Sequence, residues 1–305
     1  MTTIKNQNFG VEIELTGITR ANAAKVIAEY YGTTSHYIGT CYATYGASDT
    51  KGRVWKCMRD ASIHTERRNH GYAGSEYSCE VVTPILQYED IEDLQNIVRK
   101  LVENGAIANS SCGIHVHVDG ANHTPDSLIR LLAFAVGRQD LFYEALQIGE
   151  RADHWCRKMN PSLLKAMRDC EYKTKDGIEG IWYSEANDGY RGGIDHMHYN
   201  STRYHGINLH AFFTKGTVEF RLFNGTTHAG KIKAYIQFCL AMSAWAINAS
   251  DKMRYTKIDH LTKEERGKLM EAVLVYRLGM KGKEFATARL HLTSAFRNVD
   301  ATVAA

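Results

Sequence analysis

The stretch FGVEIELTG, residues 9–17, alternates apolar and acidic side chains. This alternation is typical of a half-buried β-strand, because successive side chains point to opposite faces of a sheet. Glu12 and Glu14 then share one face, with their Cβ atoms about 7 Å apart. Two carboxylates at that distance repel each other unless water or a cation intervenes. The strand therefore indicates a face that is either solvated or occupied by positive charge.

The bulk composition is that of an ordinary globular protein. The chain has 305 residues, of which 44% are hydrophobic and 23% charged, and its formal net charge of +3 is too small to indicate nucleic acid as a partner. The seven cysteines are odd in number and form no CxxC pair, which argues against a disulfide framework and a zinc knuckle. No apolar run approaches about 18 residues, and the first strand begins too early to follow a secretory signal. We therefore expect a cytoplasmic protein without a membrane partner.

Apolar spacing and capping residues predict several core helices. Two of them end at a glycine, Gly32 and Gly105, and two begin at a threonine N-cap, Thr124 and Thr262. The predicted helices cover residues 19–31, 89–103, 124–146 and 231–247, a segment after the Thr262 capping box, and residues 284–296.

Between these helices lie segments whose polar residues recur at every second position. SCGIHVHVDG, which ends at Gly120, places His115 and His117 on one face, and GTVEFRLFNG (216–225) does the same with Glu219 and Arg221. Half-buried alternation of this kind predicts an antiparallel sheet with one face on helices and one face open.

Three further segments extend the predicted sheet. INLHAFF (207–213), which carries Asn208, reads as a strand joined to the next one by a short hairpin-like connection at 214–216. Upstream, residues 77–84 add Glu80, and residues 54–63 add Lys56 and Asp60.

The residue types on the open face favour metal-dependent chemistry. Each pattern alone has an ordinary explanation: solvated acidic residues, surface histidines, or a cross-strand ion pair. Together, however, four glutamates, two histidines and one arginine form a set of hard-cation ligands plus a guanidinium that binds anions. Such ligands suit Mg²⁺ or Mn²⁺, and two ions about 3.5–4 Å apart commonly serve phosphate chemistry.

Six motifs carry a resemblance to a known family. They are FGxExE (9–14), WKxxxDxS (55–62), ExVTP (80–84), CGxHVHV (112–118), RYxxxN (203–208) and TVEFRLFNGT (217–226). In this order they resemble the family of putative amidoligases, whose catalytic domain is similar to those of glutamine synthetase and glutamate-cysteine ligase. Ala61 stands where the usual form of the family has glycine. We therefore predict an amidoligase-like catalytic domain over residues 1–250 and a helical C-terminal extension, 251–305, packed on the same domain.

The resemblance implies an α+β fold with a glutamine-synthetase-like antiparallel sheet, packed by helices on one face. In that family the sheet forms a funnel, in which two or more Mg²⁺ (or Mn²⁺) ions hold the phosphates of ATP. By position, Glu14 and Glu80 would serve one ion, and Glu12, His115 and Glu219 the other.

The resemblance also implies roles around these ions. His117 is the candidate for a phosphate contact, and Arg221 and Arg203 would hold the transferred phosphate or the substrate carboxylate, because arginine donates to either anion with two prongs. The remaining matched residues are two catalytic candidates, Asp60 and Ser62, and two nucleotide contacts, Lys56 and Asn208.

The implied reaction is ATP-dependent amide formation. A carboxylate takes the γ-phosphoryl group of ATP to give an acyl phosphate, and an amine then displaces phosphate. The expected partners are a small-molecule or peptide carboxylate and an amine. Their identity is left open, and the loop-like runs 35–52 and 177–199, the latter with Asp195, His196 and His198, are the candidates for selecting them.

Two other functions compete with this interpretation. A metal-dependent hydrolase is suggested by His115-x-His117-x-Asp119 with His123 nearby, although hydrolases of the HxHxDH type need a histidine where Gly120 stands. A non-catalytic nucleotide-binding module would keep the same ligands without turnover.

Overall fold

The computed structural model describes residues 1–69, 71–171, 173–186, 193–250 and 257–297. These residues form a mixed α/β protein with eight strands and eleven α-helices.

The chain divides into two compact units. The N-terminal unit comprises Lys5–His117 together with Phe223–Ile236. The C-terminal unit comprises Met1–Ile4, Val118–Leu222 and Gln237–Ala305.

The strands form a single hydrogen-bonded sheet in the order β2-β3-β4-β5-β1-β6-β8-β7. The pairs β1/β5, β2/β3, β3/β4, β4/β5 and β7/β8 are antiparallel, as the alternating sequence predicts. The strands are β1 (Phe9–Leu15), β2 (Ser35–Gly39), β3 (Thr44–Ser48), β4 (Val54–Met58), β5 (Cys79–Val82), β6 (Gly113–Asp119), β7 (Ile207–Asn208) and β8 (Thr217–Asn224).

The helices are mostly those that the capping residues predict. The exceptions are three short helices between residues 151 and 185, which carry no long apolar stripe, and α8. The helices are α1 (Arg20–Tyr31), α2 (Ile91–Glu103), α3 (Pro125–Val136), α4 (Gln139–Ala145), α5 (Arg151–His154), α6 (Pro161–Asp169), α7 (Lys175–Glu185), α8 (His210–Lys215), α9 (Ala229–Asn248), α10 (Lys263–Ala272) and α11 (Ala286–Leu292).

In the N-terminal unit, α1 packs against β3, β4, β5 and α2. Its ends follow the predicted signals: the Thr19 side chain accepts a hydrogen bond from the backbone N–H of Asn22, and Gly32 ends the helix in the left-handed conformation at φ 67°. The apolar side chains of β1, among them Val11 and Ile13, are about 1% exposed and form the core under these helices. Because side chains alternate, this packing places Glu12 and Glu14 on the other face of β1.

In the C-terminal unit, α3 packs against α6, α6 against α7, and α4 against α10. Thr124 and Thr262 both form capping boxes, as predicted. The single helix predicted over 124–146 was wrong in one respect, since it breaks between Val136 and Gln139 into α3 and α4.

The prediction of a strand over 207–213 was wrong after Asn208. The chain instead turns into α8, because the Asn208 side chain accepts a hydrogen bond from the backbone N–H of His210 at 2.8 Å. Gly216 then ends the helix at φ 75°, a left-handed conformation that glycine adopts at no steric cost. The hairpin-like connection predicted at 214–216 is therefore the end of a helix.

Two runs, 35–52 and 177–199, were predicted as loops that select the substrates. The run 35–52 was predicted as a loop but contains the antiparallel pair β2/β3, and residues 187–192 of the run 177–199 lie outside the described residues. None of the seven cysteines, all of which lie in the described part of the chain, is in a disulfide. Among the described residues, no helix is long and apolar enough to cross a membrane.

Candidate functional site

The register of the N-terminal unit places two carboxylates directly opposite each other. Glu14 on β1 faces Glu80 on β5, and Glu12 faces Val82. Glu14 is 4% exposed, Glu80 9% and His115 on β6 3%. These side chains are therefore buried, whereas the sequence predicted an open face. Buried carboxylates require compensation by hydrogen bonds or positive charge.

Histidines supply part of that compensation. A Glu12 carboxylate oxygen lies 3.0 Å from Nδ1 of His115, and its other oxygen lies 3.1 Å from Nε2 of His117. Burial alone would raise the pKa of Glu12, but the charges and hydrogen bonds of His117 and His115 hold that pKa well below its usual range. Glu12 is therefore ionised at neutral pH.

Glu14 is fixed by the backbone of the neighbouring strand. Its carboxylate accepts a hydrogen bond from the backbone N–H of Gly113 at 2.6 Å, and its other oxygen lies 3.7 Å from Nε2 of His115. These contacts hold the side chain in one orientation, with its charge kept on the same face as Glu80.

Asp60 and Ser62 form a compact turn after β4. One Asp60 oxygen accepts hydrogen bonds from both the backbone N–H and the hydroxyl of Ser62, each at 2.6 Å. The backbone of Asp60 is tied to the Ser78 hydroxyl, which donates to its carbonyl. Ala61 is not among the residues with positive φ, so the alanine that replaces the family's glycine fits this turn without strain.

These side chains make two groups within the N-terminal unit that are able to hold a metal ion. In each group, one ligand atom per residue lies within 4.8 Å of the others. One group is Glu12, Glu80 and His115, and the other is Glu14, Asp60 and Glu80. The group of three carboxylates, Glu14, Asp60 and Glu80, suits Mg²⁺ or Mn²⁺. The group that contains the imidazole of His115 suits Mn²⁺. Glu80 belongs to both groups.

The sequence predicts Glu12, Glu14, Glu80 and His115 as ligands, and the structure brings all four together. It adds Asp60, which was predicted as a catalytic residue rather than as a ligand. Lys56, a predicted nucleotide contact, is exposed on β4 opposite Val82, in the same row of the sheet as Glu12.

The C-terminal unit holds the other predicted residues. Glu219 on β8 is 2% exposed and Arg221 5%. Arg221 Nη1 donates to one Glu219 oxygen at 2.5 Å, and Asn208 Nδ2 donates to the other at 2.7 Å. Arg221 Nε also donates to the Trp155 carbonyl at 3.3 Å. The guanidinium is therefore held in a fixed position by neighbours in its own unit.

Arg203 lies close to the same aromatic ring as Arg221. Their guanidinium carbons are 5.7 and 5.9 Å from the centre of the Tyr204 ring. Arg203 Nη1 donates to the backbone carbonyl of His198 at 2.8 Å. This arrangement uses one of the donors of Arg203 and supports its planar group against an aromatic ring.

His210 is a candidate functional residue that the sequence reasoning missed. It was assigned to the predicted strand over 207–213, in which only Asn208 was given a functional role. The side chain is 5% exposed and lines a cavity of about 190 Å³ together with Arg203, Asn208 and Glu219. The asparagine at 208, whose side chain accepts a hydrogen bond from the backbone N–H two residues later, was a sequence signal for a turn at this point.

The geometry disfavours the hydrolase interpretation. Both ring nitrogens of His123 are hydrogen-bonded, to the hydroxyls of Ser127 and Ser243 at 2.9 Å each, so neither is available to a metal. A Cβ at Gly120 would meet the Gly216 carbonyl oxygen at 2.6 Å, so the histidine that this class requires has no room there.

The comparison with protein-family models agrees with the six motifs. Residues 5–243 match the family described as "Putative amidoligase enzyme", and since this is most of the chain, the protein belongs to that family. The predicted family is therefore confirmed, and it supports a ligase-type function. A search of curated proteins finds no match.

Proposed function

We propose that the protein is an ATP-dependent carboxylate-amine ligase with a glutamine-synthetase-like catalytic sheet, as the family resemblance implies. The observation that carries the proposal is the pair of metal-binding groups that share Glu80 in the N-terminal unit. Nucleotide phosphates are usually bound in proteins together with Mg²⁺, and one carboxylate bridging two ions suits a polyphosphate ligand.

In this proposal, Glu12, Glu14, Asp60, Glu80 and His115 would hold the ions. Bound ions would neutralise the carboxylates and the phosphates of ATP. The histidines keep Glu12 ionised and ready to bind, and the Gly113 amide orients Glu14. The roles of Glu219 as a further ligand and of His117, Lys56 and Asn208 as nucleotide contacts remain predictions.

The reaction would have two steps. A substrate carboxylate oxygen attacks the γ-phosphorus of ATP, the bond to the bridging oxygen breaks, and ADP leaves. The amine then attacks the acyl carbon, phosphate leaves with its electron pair, and the amine loses a proton. Arg221, which donates to Glu219 and to the Trp155 carbonyl, would stabilise the transferred phosphoryl group, and catalysis would rest on positioning and charge.

The test measures thermal unfolding with Mg²⁺ alone, ATP alone and both together. Ligand that binds only the native state raises stability by about 2.7 kcal/mol at a hundred times its Kd. For a chain of this size that corresponds to a rise in Tm on the order of 5–10 °C, and we expect a larger rise with both ligands together than with either alone. A Tm that does not respond to Mg²⁺ with ATP would contradict the proposal.

A second arm separates the three functions. Incubation with Mg²⁺, ATP and pooled carboxylates and amines should release ADP and give a product lighter by one water than its two reactants. Glu14→Gln should abolish ADP release, whereas Glu103→Gln, an exposed acidic residue of α2, should not. A hydrolase would act without ATP, and a binding module would show the rise in Tm without ADP.

A further inference from the structure

A polar cavity lies within the C-terminal unit. Its volume is about 190 Å³, enough for several waters or for a carboxylate with a short stem. The residues that line it include His196, Arg203, Asn208, His210, Lys215 and Glu219.

The lining of this cavity favours an anion. Its carboxylate, Glu219, already binds Arg221 and Asn208, so its negative charge is offset. Arg203 has no ion pair with a carboxylate among the described residues, and a guanidinium offers five N–H donors, of which the His198 carbonyl takes one. Arg203 therefore brings a positive charge and spare donors to the cavity wall.

His210 contributes a neutral ring N–H donor whose position is fixed by a hydrogen bond to the other ring nitrogen. Its Nδ1 lies 2.7 Å from the hydroxyl of Tyr183, which is 1% exposed and has no other hydrogen-bond partner among the described residues. A buried hydroxyl hydrogen needs an acceptor, so Tyr183 donates to Nδ1 and the ring proton of His210 sits on Nε2. Burial, assisted by the charge of Arg203, lowers the pKa of His210 to about 4, so the ring is neutral at pH 7.

Nε2 of His210 has no hydrogen-bond partner among the described residues. The side chain is 95% buried, since only 5% is exposed, and its ring lines the cavity. Nε2 is not among the fully buried atoms without a partner, so it is accessible from the cavity, where a ligand oxygen could accept its hydrogen bond.

We propose that His210 completes a carboxylate site in this cavity. Its Nε2–H would bind a carboxylate of the substrate beside the guanidinium of Arg203, whose part the family resemblance already implies, and Tyr183 would position the histidine. The inference rests on the proposed function, because it says how a carboxylate substrate is recognised. The planar guanidinium of Arg203 matches the two oxygens of a planar carboxylate, and the Nε2–H of His210 adds a neutral donor, while Lys215 adds a second positive charge to the cavity wall.

The experiment uses the full chain with acetate and glutarate as carboxylate probes and inorganic phosphate as the competing oxyanion. Binding is measured by titration calorimetry, and the His210 ring is observed by ¹⁵N NMR. In the wild type we expect the Nε2–H tautomer, a shift of its signal on adding glutarate, and little response to phosphate. The opposite tautomer, a ring signal that does not change at saturating glutarate, or a preference for phosphate would overturn the proposal.

Variants test the two donors separately. His210→Phe keeps the ring volume and removes the donor, so glutarate should bind about 10 to 100 times more weakly, and His210→Gln, which keeps an N–H donor, should recover part of the affinity. Tyr183→Phe should mix the two tautomers and weaken binding less. His123→Asn, a change at another buried histidine of the same unit, should leave glutarate binding unchanged.

Two outcomes distinguish this inference from the proposed function. A folded His210→Phe protein that binds glutarate as the wild type does would overturn the inference, even if ADP is released normally. Glutarate binding that depends on His210 in a protein without ADP release would support the inference and contradict the ligase proposal. If His210→Phe does not fold, the wild-type NMR titration and Tyr183→Phe decide the question.

Discussion

Replacing Glu80 with glutamine should have opposite effects with and without metal ions. Glu80 has an oxygen within 4.8 Å of ligand atoms of Glu12 and His115, and of Glu14 and Asp60. Without a cation, its charge is repelled by three carboxylates and attracted by the imidazole only when that ring is protonated. The Glu80→Gln protein should therefore be more stable than the wild type in a chelator and should lose its response to ions.

The size of the effect follows from the distances. Two unit charges 4.8 Å apart repel by about 3 kcal/mol at an effective dielectric constant of about 20. Protons and solvent ions relieve part of this, so we expect a gain in the free energy of unfolding of about 1–3 kcal/mol in the chelator. In a chain of this length that raises Tm by about 2–10 °C.

The assay is thermal unfolding of the wild type, Glu80→Gln and Glu103→Gln, first with EDTA and then with millimolar Mg²⁺ or Mn²⁺. Glu103→Gln removes one exposed negative charge from the same unit and controls for net charge. Ions should raise the Tm of the wild type and of the control, and should leave Glu80→Gln nearly unchanged. A Glu80→Gln protein less stable than the wild type in EDTA, or one with a full response to ions, would refute the reasoning.

Two further predictions concern the C-terminal unit. Arg221→Lys should keep metal-dependent ATP binding but lose most ADP release, because lysine retains the charge without the planar, two-pronged donation of the guanidinium; near-normal turnover would reduce Arg221 to the structural partner of Glu219, with which it already pairs. Burial, with the nearby charge of Arg130, lowers the pKa of His123 to about 4, whereas an unfolded histidine titrates near about 6.5. Between these values the unfolded chain binds a proton that the folded chain excludes, so the free energy of unfolding should fall with decreasing pH by up to about 1.4 kcal/mol per unit from this group. In urea unfolding, His123→Asn should be less stable at pH 7 and less sensitive to pH between 6.5 and 4; an unchanged slope would contradict this.

The sequence by itself determined the regular parts of this protein. Helix α1 begins at Thr19 and ends at Gly32 because a threonine hydroxyl caps free N–H groups and glycine adopts positive φ, and both effects act within a few residues. The alternation in β1, β6 and β8 likewise follows from backbone geometry alone. The residue types on the polar face, read together with the order of six motifs, were sufficient to identify the family.

Tertiary structure decided where those residue types meet and how deeply they are buried. Glu80 lies beside Glu14 because of its register opposite that residue, which joins residues 66 positions apart. The tautomer of His210 depends on Tyr183, 27 positions away. It also depends on α8, a helix that the alternating sequence wrongly predicted as a strand. Burial of the carboxylates also could not be read from alternation, because a pattern of period 2 separates the two faces of a strand but does not say what covers each face. Local preferences act over a few residues, whereas register, burial and hydrogen-bond partners depend on distant segments that come together only when the chain folds.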